Sequence, residues 1–287
     1  MSFINNFLKN HPLKEIRINN VVGKYIVGGK SKIGFIIFPG GGQDVYSSYD
    51  LIDAYEKKYK VISSSIEGFN DLSSYFKFVD KILEIEKIEK VIIYGLSLGG
   101  FIAQHYVREN KDKILKLILS HTGSTRSIYI RKKVIIPGKF LYFFLPLIPL
   151  RFLKFLVRKN SGRVQAGSSD ILGLWKKYSS NENLAKRKMF IDRFGLNFLN
   201  RKYLSSFYRL GINMEKEEKS WRWEDLKNWS KNILIIKTVN DPLAQDNGVL
   251  KRYYPMAKEH IFQETGHLSP FIRFEEMKKI IEKFIVK

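Results

Sequence analysis

Val91-Ile92-Ile93-Tyr94-Gly95-Leu96-Ser97-Leu98-Gly99-Gly100 carries the reading of the whole chain. Its first half is a short apolar run of the kind a buried strand uses, and the segment after Ser97, LGGFIAQHYVREN, reads as a helix. A serine set between glycines at such a strand-to-helix junction occupies a strained turn, because only neighbours without side chains let strand and helix approach that closely. It also sits at a helix N-terminus, where free N–H groups and the helix dipole favour developing negative charge. Ser97 is therefore the candidate nucleophile; a plain N-cap serine is the alternative.

Working outward, β-rich runs alternate with helical patterns. IRIN, VVGKYIVGG and KIGFIIF precede a helix from about Tyr46 to Lys57, then come YKVISSSI and a helix near Asp71 to Ile88. After the elbow helix the strand KLILS ends at Ser120. This is the rhythm of a mostly parallel sheet with helices on both faces. It breaks after Thr122 and resumes with NILIIKT, a helix around Gly248 to Tyr254, the short strand HIFQ and a closing helix from Phe271 to Val286. The expectation is a split core, residues 1–123 and 232–287, with a helical insert at 124–231. Gly23 to Ser31 (GKYIVGGKS) imitates a phosphate loop, but its spacing is one residue too long and a strand follows it, so it is read as a hairpin turn.

A serine hydroxyl needs a base, and the base an orienting carboxylate. Of five histidines, His11 and His260 lie away from the active end, and His105 is about 12 Å along the elbow helix. His267, in the loop after the last strand, is the expected base, with His121 in reserve as a residue that shapes the substrate pocket. No Asp or Glu occurs between Lys113 and Ser169, so the acid must come from the next strand: Asp241, with Asp246 as the alternative. Phe38-Pro39-Gly40-Gly41-Gly42-Gln43 follows a strand, and Gly41 N–H with Leu98 N–H is the expected oxyanion hole.

Taken together, FPGGGQD, GLSLGGFIAQ, NDPLA and TGHLSP make the chain resemble the α/β-hydrolase family across its core. The resemblance implies an eight-stranded, mostly parallel sheet with a helical cap inserted after the sixth strand. It also implies ester, thioester or amide hydrolysis through an acyl-enzyme, and the order Ser97, Asp241, His267 matches that of the family's triad. Pro39 stands where many members have the His of a His-Gly pair. A weaker likeness to maspardin-like proteins, in HPLKEI and LSLGGFIAQ, supplies the alternative of a non-catalytic interaction protein on membranes.

Bulk properties bound the rest. The 287 residues contain no cysteine, which excludes disulfides, thiolate catalysis and cysteine-ligated metal sites. No metal or other cofactor is expected. The N-terminus lacks the pattern of a signal peptide, so a cytoplasmic location is expected. The formal charge of +22 points to an anionic partner, such as nucleic acid or an anionic membrane surface, or to a plain Lys-rich and Ile-rich genome bias. Twelve Lys and Arg residues fall in the acid-free stretch from Lys113, where FLYFFLPLIPL (Phe140 to Leu150) is too short and proline-broken to span a bilayer. Arg151, Lys154 and Arg158 share one face of the next helix, and Phe152, Phe155 and Leu156 another. A lid contacting anionic membrane, or one packed on its own core, are both compatible with this, and Phe140, Phe143 and Phe144 are the expected substrate contacts. Acidic residues among Trp221, Trp223 and Trp229 argue against nucleic acid. A small ester or acyl compound is the expected substrate.

Overall fold

The computed structural model describes residues 3–155, 166–194, 196, 199–241 and 244–286. Eight strands form one sheet: β1 (Lys14–Ile18), β2 (Val21–Gly28), β3 (Ile33–Phe38), β4 (Lys60–Ser64), β5 (Lys90–Leu96), β6 (Ile114–Ser120), β7 (Ile233–Thr238) and β8 (Lys258–Phe262). Their spatial order is β1-β2-β4-β3-β5-β6-β7-β8. The pairs from β4 through β8 are parallel, and β2 runs antiparallel to both β1 and β4.

The central strands are nearly continuous apolar runs because both their faces are covered. Alternate side chains enter two separate cores. Ile36, Ile93, Leu117 and Ile235 face α3 (Leu72–Ile85) and α4 (Leu98–Asn110). Phe35, Ile92, Ile118 and Ile236 face α1 (Phe3–Asn10), α2 (Tyr49–Tyr55) and the closing helix Phe274–Ile285. Burial of each such side chain stabilises the fold by about 1.5–3 kcal/mol. One truncation in this layer, such as Ile93→Ala, would cost about 2–5 kcal/mol.

One expectation is corrected. GKYIVGGKS is not a hairpin turn: it is most of β2 followed by a connection to β3, and β2 pairs with β4, not with β3. The hairpin lies one strand earlier, where Ile18 pairs with Val21. The N-terminal stretch is a helix whose Ile4 and Phe7 are buried, Phe7 meeting the ring of Phe190 edge-on at 5.5 Å.

Between β6 and β7 the described residues form helices and no strand. Ile128–Ile130, a widened turn Arg131–Ile135 and α5 (Ile136–Phe144) follow one another without a break. Then come α6 (Ile171–Tyr178), α7 (Asn181–Phe194) and α8 (Arg201–Glu218), before α9 (Val249–Tyr253) and α10 (Phe274–Ile285) return to the core. Arg158 and Leu156 lie outside the described residues.

Candidate active site

Ser97 has φ 50° and ψ −115°, a conformation that an L-residue adopts only under strain. Such backbone costs on the order of 1–3 kcal/mol and persists where the surroundings over-determine it. Here they do. Ser97 N–H donates to Ser120 O at 2.9 Å, and Thr122 Oγ1 donates to Ser97 O at 2.8 Å. The glycines are dictated by contact: a Cβ on Gly95 would stand 2.6 Å from Gly99 O, and one on Gly99 1.8 Å from Phe38 O. The half-buried Ser97 side chain makes no capping bond to α4, so its hydroxyl is not consumed by the helix.

Asp241 ends the turn after β7, and His267 follows β8. His267 Nδ1 donates to Asp241 Oδ2 at 2.8 Å and lies 3.1 Å from Oδ1. Both residues are buried. Asp241 Oδ1 also accepts from Ala244 N–H at 3.1 Å. The alternative acid, Asp246, is engaged elsewhere: it pairs with Lys237 at 3.2 Å and accepts from Leu250 N–H at 2.7 Å. Among the described residues Ser97 Oγ and the His267 ring are not hydrogen-bonded to each other, a bond that often tightens only with substrate.

His121 lies beneath this pair, fully buried, with φ 48°. Its ring nitrogens meet Ser120 Oγ at 3.0 Å and Thr238 Oγ1 at 2.8 Å. Burial, opposed by the charge of Asp241, lowers its pKa from 6.5 to about 3. A chain of hydroxyls runs on from Thr238 to Ser269 (2.6 Å) and Thr265 (2.5 Å), tying β7 to the loop that carries His267. His121 therefore lies under the site and not on a pocket wall.

The glycine loop after β3 packs on the elbow: a Cβ on Gly40 would lie 3.5 Å from Leu96 Cγ. Gly40 N–H donates to Gln43 Oε1 at 3.1 Å and Gly42 N–H to Tyr203 Oη at 2.8 Å. Among the described residues the Gly41 N–H between them meets no acceptor, and the Leu98 N–H is one of the orphan donors of a helix N-terminus. Two free donors thus belong to the residues singled out from sequence. The roles of Tyr203 and Gln43 were not anticipated, and nothing local in the sequence links Tyr203 to a loop some 160 residues earlier.

Beside Leu98 opens an apolar pocket of about 90 Å³, whose walls include Phe101, Ile130, Val134, Phe207 and Met214. The expected contacts Phe140, Phe143 and Phe144 do not line it and are exposed, since they lie on the side of the continuous helical run Ile128–Phe144 opposite Val134 and Gly138.

A family model described as the alpha/beta hydrolase fold matches residues 35–273. Maspardin of Danio rerio is 30% identical over 131 residues, 43% of this chain and 42% of that protein, so the match spans under half of maspardin's length. Among solved structures, an alpha/beta hydrolase enzyme from a Medee basin deep-sea metagenome library superposes with a TM-score of 0.71 at 15% identity, covering 96% of this chain and 98% of that one. A bromoperoxidase from Bacillus anthracis gives 0.67 at 16%, covering 96% and 100%. A meta-cleavage product hydrolase from Pseudomonas fluorescens IP01 gives 0.64 at 18%, covering 94% and 96%. At these identities the likeness is one of fold.

Proposed function

Because the chain belongs to the alpha/beta hydrolase fold family, we propose that it is a serine hydrolase that cleaves carboxylic esters through an acyl-enzyme. The observation that carries this reading is the Asp241 carboxylate on His267 Nδ1 at 2.8 Å, buried at the strand ends where the strained Ser97 stands. That bond fixes the tautomer in which Nε2 is a free base. In the first step His267 Nε2 takes the Ser97 proton and Oγ bonds to the ester carbonyl carbon. The oxyanion accepts from Gly41 and Leu98 N–H groups. The C–O bond to the alcohol breaks as His267 returns the proton to the leaving oxygen. Water, deprotonated by the same ring, then attacks the acyl-enzyme, releasing the acid and restoring Ser97.

The apolar pocket beside Leu98 favours an acyl group as its occupant. A panel of p-nitrophenyl esters of increasing chain length, with a fluorophosphonate probe, tests the reading. Turnover and labelling are expected for the native chain and not for Ser97→Ala; equal labelling of the two would overturn it.

A further inference from the structure

The helical run from Ile128 to Phe144 carries two apolar faces, and the fold uses one. Ile130, Val134 and Gly138, spaced by four, face the pocket, and Leu145 beyond them is buried. The other face repeats in steps of three and four: Ile136, Phe140, Phe143, Phe144 and, just past the run, Leu147. Those five are exposed, Phe140 by 67%, Phe143 by 76% and Leu147 by 78%. The next helical turns add Phe152 and Phe155, each more than half exposed. Large side chains clustered this way are not the scattered apolar residues of an ordinary surface.

Around this face the charge has one sign. Arg131, Lys132, Lys133 and Arg151 are exposed and, among the described residues, have no acidic partner; Lys139 alone pairs, with Glu215 from α8. Within the stretch from Lys113 to Ser169 there is no acid to neutralise them. A second copy of the chain would bring the same cations to the same place, so self-association through this face is opposed electrostatically. A sheet of anionic headgroups over hydrocarbon satisfies both halves of the pattern: cations at the headgroups, aromatic and aliphatic side chains at the acyl boundary.

We propose that the outward face of α5 and the turns that follow it dock on the surface of an anionic lipid bilayer. Because the inward face of the same helical run lines the pocket beside Leu98, docking sets that pocket next to the lipid. No helix among the described residues is long and apolar enough to cross a membrane, so the contact is peripheral. The surface does not rest on ester cleavage: turnover of a soluble short-chain ester is a separate readout, and its loss with binding intact would remove the hydrolase reading alone.

Co-sedimentation of the full chain with vesicles of phosphatidylcholine, alone or with about one third phosphatidylserine, tests it. The expected result is binding to the anionic vesicles that weakens as salt rises. Phe140→Ser with Phe143→Ser should weaken it at least about tenfold. Arg131→Ser, Lys132→Ser and Lys133→Ser together should weaken it about a hundredfold, roughly fivefold per cation. Circular dichroism and a retained melting transition establish that these surface variants fold. The proposal is overturned if the native chain stays in the supernatant with anionic vesicles, or if both variants bind as it does. It is equally overturned if the chain is a dimer in solution that Phe140→Ser with Phe143→Ser separates, since the face then belongs to a second copy.

Discussion

The ring of His121 stands edge-on to the ring of His267, with centroids 6.0 Å apart and planes at 88°. One imidazole faces the site; the other is sealed beneath it and held neutral, its pKa lowered to about 3 by burial. The sign of the consequence is fixed. Between about pH 3 and 6.5 the unfolded chain binds a proton at His121 that the folded chain does not, so stability falls as pH falls through that window. The slope from this one group is at most about 1.4 kcal/mol per pH unit. Urea unfolding of the native chain and His121→Gln from pH 4 to 7 should show a shallower dependence in the variant. Parallel curves would refute the buried neutral state.

The two aspartates after β7 should separate cleanly. Asp241→Asn loses the carboxylate that sets the His267 tautomer and should lower kcat by about 10⁴ with little change in KM. Asp246→Asn loses its charge partner Lys237 and weakens a bond to Leu250 N–H. It should cost about 1–3 kcal/mol of stability while kcat stays within a few-fold. Steady-state kinetics beside thermal melts of both variants checks the pair; a reversed pattern would transfer the role to Asp246.

Two glycines of the site make opposite demands. A Cβ on Gly99 would meet the Phe38 carbonyl oxygen at 1.8 Å, and backbone cannot rotate away as a side chain can. Gly99→Ala should therefore cost about 3 kcal/mol or more. Gly42 has open space around its missing Cβ but φ +81°, so Gly42→Ala should cost only about 1 kcal/mol. Chemical denaturation of the two distinguishes steric from conformational need.

Gly211 lies inside α8 on the pocket wall, and a Cβ there meets nothing within 4 Å. Filling that space with Gly211→Leu should remove a helix-interior glycine, raising stability by up to about 1 kcal/mol, while shortening the acyl chain the pocket accepts. The measurement is kcat/KM across the ester series: long chains should lose about tenfold or more, and acetate esters should be unaffected. An even loss across the series would place the acyl group elsewhere.

The elbow and the sheet around it were legible because their constraints are local. Glycines at fixed offsets from Ser97 and apolar runs of strand length say what the backbone must do. Asp241 and His267 could be picked out because few acids and histidines lie at the ends of strands. The β2 connection misled because a glycine pair after a strand looks the same whether the next strand pairs beside it or crosses over; only the β2–β4 pairing distinguishes the two. The phenylalanines misled for a related reason. Both faces of α5 are apolar, and hydrophobicity alone does not say which face turns inward. Tyr203 was invisible because its tie to Gly42 spans most of the chain.

That tie has a further consequence. Tyr203 Oη holds the Gly42 N–H, and Phe207, one turn along the same helix, stands where a side chain on Gly41 would have to go. The insert thus braces the donor loop, and it is no detachable ornament on a self-sufficient core. In evolution or in the laboratory, trading this cap for a relative's would exchange the setting of the proposed oxyanion donor along with the shape of the pocket, so under the proposed function substrate range and turnover would be inherited as one trait.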